Sequence, residues 1–128
     1  MSRPAKRART PTRRGAPAAG SVHVETRLES VLRELGNNQA AELIGVSRSQ
    51  PSRWRRRHER ISPENERRIL DLDYVLARLR RIFPEQQARI WLRSHNAHLG
   101  ARPVDVLRLR GAEPVIGAID AEEQGAYA

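Results

Sequence analysis

Residues 37–54 read NNQAAELIGVSRSQPSRW, and the spacing of apolar, glycine and hydroxyl residues in this stretch decides how the first half of the chain folds. Ala40, Ala41 and Ile44 put small and apolar side chains at helical spacing, and Gly45 offers the positive φ at which that helix stops. Val46 turns inward after it. Ser47 then opens a second helix in a capping-box pattern, its hydroxyl accepting from the backbone N–H of Gln50 while the Gln50 side chain reaches back. Two short helices joined by a tight turn make a helix-turn-helix. Its second helix directs Arg48, Ser49, Ser52 and Arg53 outward, with Pro51 and Trp54 on the buried side. A helix of this kind fits the DNA major groove, and the alternative is a helical hairpin inside an all-α core.

The charge that follows favours nucleic acid. Arg55, Arg56, Arg57 and His58 continue directly out of the second helix, and phosphates need positive side chains beside whatever reads the bases. The candidate DNA contacts are therefore Arg48, Ser49, Gln50, Ser52, Arg53, Arg55 and Arg56. Counted from a cap at Ser47, Pro51 lies at the limit of the first helical turn, the last place where a residue without an N–H is tolerated. A strained or displaced helix start is expected there.

Net charge is +9 over 128 residues, and its distribution is uneven. Residues 1–60 hold fourteen Lys/Arg against five Asp/Glu, residues 61–110 ten against six, and residues 111–128 none against four. A basic front steers the chain toward polyanions, whereas an acidic end suits a basic partner. Cysteine is absent, which excludes disulfides and thiolate chemistry and is compatible with a cytoplasmic location. No apolar run is long enough to span a membrane. Residues 1–22 carry six positive charges, no acid and three prolines, the composition of a disordered basic arm that could touch DNA or serve only solubility.

Outside this stretch the chain reads as helices throughout. Val24, Leu28, Val31, Leu32 and Leu35 form an apolar stripe ended by Gly36, completing an expected DNA-binding unit over 23–60. Ser62-Pro63 is an N-cap with proline at the first helical position. Ile69, Leu72, Leu76, Leu79 and Phe83 then recur as a seam up to Pro84, either ordinary core or a surface for a second copy of the chain. Further short helices are expected from Pro84 through Trp91, over SHNAHLG (94–100), from Pro103 to Gly111, and from Pro114 to Gly125. The fold class is all-α and compact.

Ala88, Trp91 and Leu92, then Asn96, Leu99, Gly100, Pro103, Val106 and Leu107, and last Ile119-Asp120 with Gly125 and Tyr127, stand in an order and spacing that resembles the Xre/MbcA/ParS antitoxin family. The resemblance runs from about Asn37 to the C-terminus and includes the toxin-binding domain, here 62–128. It implies an antitoxin of a toxin–antitoxin system that binds operator DNA through its first half and a RES-domain toxin, an NAD-degrading enzyme, through its second. In the family the antitoxin's C-terminal end covers the mouth of the toxin's NAD pocket. Carried over on that basis, the toxin contacts are Trp91, Asn96, Leu99, Pro103, Ile119, Asp120, Gly125, Ala126, Tyr127 and Ala128. The acids Asp120, Glu122 and Glu123 suit a site built for a pyrophosphate, and Tyr127 offers an aromatic anchor.

Catalysis is not expected. His95 and His98 share a helix-like spacing, but no cysteine and only Asp105 nearby would complete a ligand set, so neither metal nor cofactor is assigned. Asp71 and Asp73 lie two apart on a helix and do not face one another. The rival function is a stand-alone helix-turn-helix regulator whose second half only dimerises. Because one short recognition helix reads few base pairs, a homodimer or larger assembly is expected.

Overall fold

The apolar stripe that follows the basic N-terminal stretch is buried as a single face, with Val24, Leu28, Val31, Leu32 and Leu35 each at most 7% exposed. A computed structural model describes residues 16–126. The first fifteen residues of the expected arm, and Tyr127 and Ala128 of the expected toxin-binding end, lie outside the described residues. α1 (Ala16–Ile44) begins within the stretch read as an arm and is interrupted at Gly36, whose φ of 79° and ψ of 164° are not helical. Glycine reaches that conformation without a Cβ penalty, so the chain changes direction there and resumes as a second helical segment.

That segment ends at Gly45. Its φ is 93°, a backbone conformation that favours glycine, and a Cβ built on it would stand 2.9 Å from the Cδ of Arg108, whose side chain would have to shift. A turn over 45–49 leads to α2 (Gln50–Arg55). The helix starts later than the capping-box reading places it. Ser49, not Ser47, is the cap residue, and no side chain caps the helix. The Ser47 carbonyl accepts from Gln50 N–H at 3.0 Å, while its hydroxyl lies 3.4 Å from that of Ser49. The Gln50 side chain is occupied elsewhere, with Arg53 and Glu59. The later start puts Pro51 in the opening turn, where a missing N–H costs nothing, so the strain expected at this proline does not arise.

α3 (Pro63–Leu79) is capped as the sequence implies, the Ser62 hydroxyl accepting from Asn65 N–H at 3.2 Å. It stops before Phe83, however. The Leu79 carbonyl accepts from the N–H groups of both Ile82 and Phe83, and this tight turn precedes α4 (Glu85–Arg93). The seam residues Ile69, Leu72, Leu76 and Leu79 are at most 1% exposed. They are spent inside the subunit, chiefly against α1, and cannot also serve as an interface between copies.

Residues 94–101 are not the short helix expected. They form a turn closed by an isolated antiparallel bridge between Asn96 and Ala101. α5 (Pro103–Arg110) ends at Gly111, and α6 (Ala112–Ala126) starts ahead of Pro114 and continues through Gly125 rather than stopping there.

The six helices of the described residues are held by one core. Residues from Val24 to Trp54 and from Ile69 to Ile119 belong to the same buried apolar cluster, so the boundary drawn near residue 61 is not a break in packing. Arg27–Asp73 at 3.4 Å, Arg93–Glu42 at 3.1 Å and Arg80–Glu34 also cross it. Exposed ion pairs contribute little, so burial of apolar surface joins the halves. No described helix is long and apolar enough to cross a membrane.

Candidate functional site

The first candidate surface is built around α2. Pro51 and Trp54 are buried, as the sequence implies, which orients the opposite side of this six-residue helix toward solvent. The arginines then divide by partner. Arg55 pairs with Glu29 at 2.8 Å and Arg57 with Glu25 at 3.1 Å, both acids of α1, which turns these guanidinium groups back onto the protein. The Ser52 hydroxyl accepts from Asn37 Nδ2 at 3.2 Å and ties α2 to the segment before it instead of facing outward. Arg48 and Arg56 are exposed, and their guanidinium groups have no partner among the described residues.

Ser49, Gln50 and Arg53 are brought together in one network. Arg53 donates to Ser49 Oγ at 2.7 Å, to Gln50 Oε1 at 2.7 Å and, through Nε, to Glu59 Oε1 at 2.5 Å. Gln50 Nε2 also donates to Glu59 Oε2 at 3.1 Å. The Gln50 amide and the Arg53 guanidinium hold the Glu59 carboxyl below the usual carboxylate range. Sequence reasoning missed Glu59. An acid six residues past an arginine has no local signature, and its only hint was being the sole acid in an otherwise basic run.

The second candidate surface lies where the 94–101 turn meets the last turns of α6. Asn96 stiffens the turn: its N–H donates to the Ala101 carbonyl at 2.9 Å, its carbonyl accepts from Gly100 N–H at 2.8 Å, and its Oδ1 accepts from Leu99 N–H at 3.0 Å. Beside it Ala97, His98, Ala118, Ala121, Glu122 and Gly125 complete an open groove of about 420 Å³. Trp91 joins this surface from α4, its indole N–H donating to Glu122 Oε1 at 3.2 Å. On another side of α6, Asp120 and Glu123 accept from Arg78 at 2.6 and 3.2 Å.

Residues 70–125, which include every lining residue of this groove, match the antitoxin Xre/MbcA/ParS C-terminal toxin-binding domain. That stretch is what ties the chain to the Xre/MbcA/ParS antitoxins, by similarity over 70–125. It is also similar to the mycobacterial cidal antitoxin MbcA of Mycobacterium tuberculosis and of Mycobacterium bovis, 28% identical over 90 residues that cover 70% of this chain and 80% of each relative. No solved structure matches it significantly.

Within the matched stretch, the residues marked by resemblance fall into two groups. Asn96 and Gly125 line the groove, Trp91 reaches it only through its bond to the lining residue Glu122, and Leu99 is half-buried. Pro103 and Ile119 are buried, Ile119 completely, and do not reach the surface in this conformation. Asp120 is exposed but engaged with Arg78. Ala126 closes α6. Ala97, Ala118 and Ala121 have no counterpart in the sequence reading, because small residues carry no chemical signal until the fold lines them up.

Proposed function

We propose that this antitoxin-family chain neutralises a RES-domain, NAD-degrading toxin through the α6 end and the adjoining groove, and represses its own operon through the α2 face. The observation that carries the toxin half is the match of residues 70–125 to a toxin-binding domain, together with the groove that brings Asn96 and Gly125 together beside the end of α6, with Trp91 bonded to its lining residue Glu122. The acids nearest that end are already satisfied within the chain: Asp120 and Glu123 by Arg78, and Glu122 by Trp91. Residues 125–128 therefore do the reaching. Truncation after Gln124 leaves those internal bonds in place, and it is expected to abolish protection of cells expressing the cognate toxin and to restore NAD consumption by the purified pair, with an unchanged melting temperature. Full protection by the truncated form would move neutralisation from the chain end to the groove.

DNA binding rests on the two unpaired arginines that flank the α2 network. Arg48→Ala should weaken binding to the operon's own promoter by about 1–3 kcal/mol, as loss of a base contact does. Arg56→Ala should weaken all duplexes alike and flatten the salt slope by about one unit, as loss of a phosphate contact does. Fluorescence anisotropy at several salt concentrations measures both, and wild-type affinity in the double variant would remove α2 from the account. A homodimer or larger species in the cytoplasm is part of this proposal. With the α3 seam buried, the outer face of α4, where Ile90 is 49% exposed, is the apolar surface left to α4 for a second copy.

A further inference from the structure

The turn that follows α2 contains the one non-glycine residue at positive φ among the described residues, Arg57 at 61°. A left-handed residue after a helix end reverses the chain, and glycine is the usual choice because it carries no Cβ penalty. Here Arg57 N–H bonds to the Trp54 carbonyl and His58 N–H to the Arg53 carbonyl, each at 3.0 Å. The reversal lays Glu59 against α2. Its carboxylate takes Gln50 Nε2 and Arg53 Nε, and with Ser49 and Gln50 accepting from the other two nitrogens, every nitrogen of the Arg53 guanidinium has an internal acceptor.

Arginine and glutamine are the residue types whose paired polar atoms match guanine and adenine edges in the major groove. On this face both are committed to a carboxylate that also places a negative charge where phosphates must approach. We propose that Glu59 limits the affinity of the nucleic-acid face: it is an intramolecular acceptor that duplex DNA must displace from Gln50 and Arg53 before they can contact bases. The inference rests on the reading of α2 as the DNA-binding surface. Displacement is feasible because the pair is exposed, with 40% and 49% of the two side chains accessible, and ion pairs of that kind exchange readily.

The test compares the full-length wild type with Glu59→Gln, Glu59→Ala, Arg53→Ala and the Glu59→Ala/Arg53→Ala double variant. Binding is measured at one salt concentration to a duplex from the chain's own upstream DNA and to a random-sequence duplex, with thermal melts to confirm that each variant is folded. Both Glu59 variants are expected to bind about threefold to tenfold more tightly than wild type. That gain should vanish in the Arg53→Ala background. A gain that persists without Arg53 would reflect net charge alone and overturn the proposal. Unchanged or weaker binding by the Glu59 variants, alongside a loss in Arg53→Ala, would make Glu59 an orienting partner and overturn it while leaving the DNA reading intact. Absence of binding to either duplex by wild type and every variant would remove the DNA reading and the proposal together.

Discussion

A fragment spanning residues 62–128 is expected to show no cooperative unfolding transition, although it contains the whole of the matched toxin-binding domain. The inner face of α3 is covered mainly by α1. Removing residues 1–61 takes away Val24, Leu28, Val31, Leu32, Leu35, Leu43, Ile44 and Trp54, all at most 7% exposed. Each such side chain contributes about 1.5–3 kcal/mol on burial, so their combined loss reaches or exceeds the whole stability of an ordinary domain, about 5–15 kcal/mol. It also bares Ile69, Leu72 and Leu76 to water. Circular dichroism during a thermal melt and amide proton dispersion report the result directly. A sharp transition in the isolated fragment would show that α1 is dispensable and that the two halves are separable after all. Loss of neutralisation by the fragment thus reports on folding, and the truncation after Gln124 is the variant that isolates toxin contact.

Ile119→Ala is expected to cost about 2–5 kcal/mol of stability, the range for deleting a fully buried branched side chain and leaving a cavity. Ile119 is 0% exposed and belongs to the common core with Leu92, Val104, Leu107 and Val115. Family resemblance marks it as a toxin contact. Its burial makes it a support for α6, the helix that carries the groove and the chain end. Denaturant unfolding of the free chain separates these roles. A large drop in midpoint, with toxin affinity retained under conditions where the variant is folded, is the expected result. An unchanged midpoint with lost affinity would show that the side chain leaves the core to meet the toxin.

Signals that act within one or two helical turns are legible in the amino-acid sequence alone. The Val24-to-Leu35 stripe, the Ser62 cap, the Gly45 stop and the burial of Pro51 and Trp54 depend on neighbours a few residues away, and local sequence specifies those neighbours. The misplaced start of α2 shows the limit of that logic. Ser47 and Gln50 have the composition of a capping box, but Arg53 and Glu59 offer the Gln50 side chain better partners. The short helix expected at 94–100 failed for a related reason, since Asn96 finds its bonds at Leu99, Gly100 and Ala101 and closes a turn instead.

The order of residues that resembles the Xre/MbcA/ParS family was readable because much of it is the domain's skeleton. Ala88, Leu92, Pro103, Val106, Leu107 and Ile119 are all buried, and packing restricts which residue types can stand at such positions. The same fact explains why the resemblance did not locate the contact surface. Whether an arginine lacks a partner among the described residues, as Arg48 and Arg56 do, or is tied to an acid up to 46 residues away, as Arg27 is to Asp73, is decided by helix packing. So is the use of the α3 seam for the chain's own core instead of for a second copy. Helical periodicity says which face of a helix is apolar, and only the tertiary arrangement says what covers that face, because apolar burial is non-directional and any complementary surface will satisfy it.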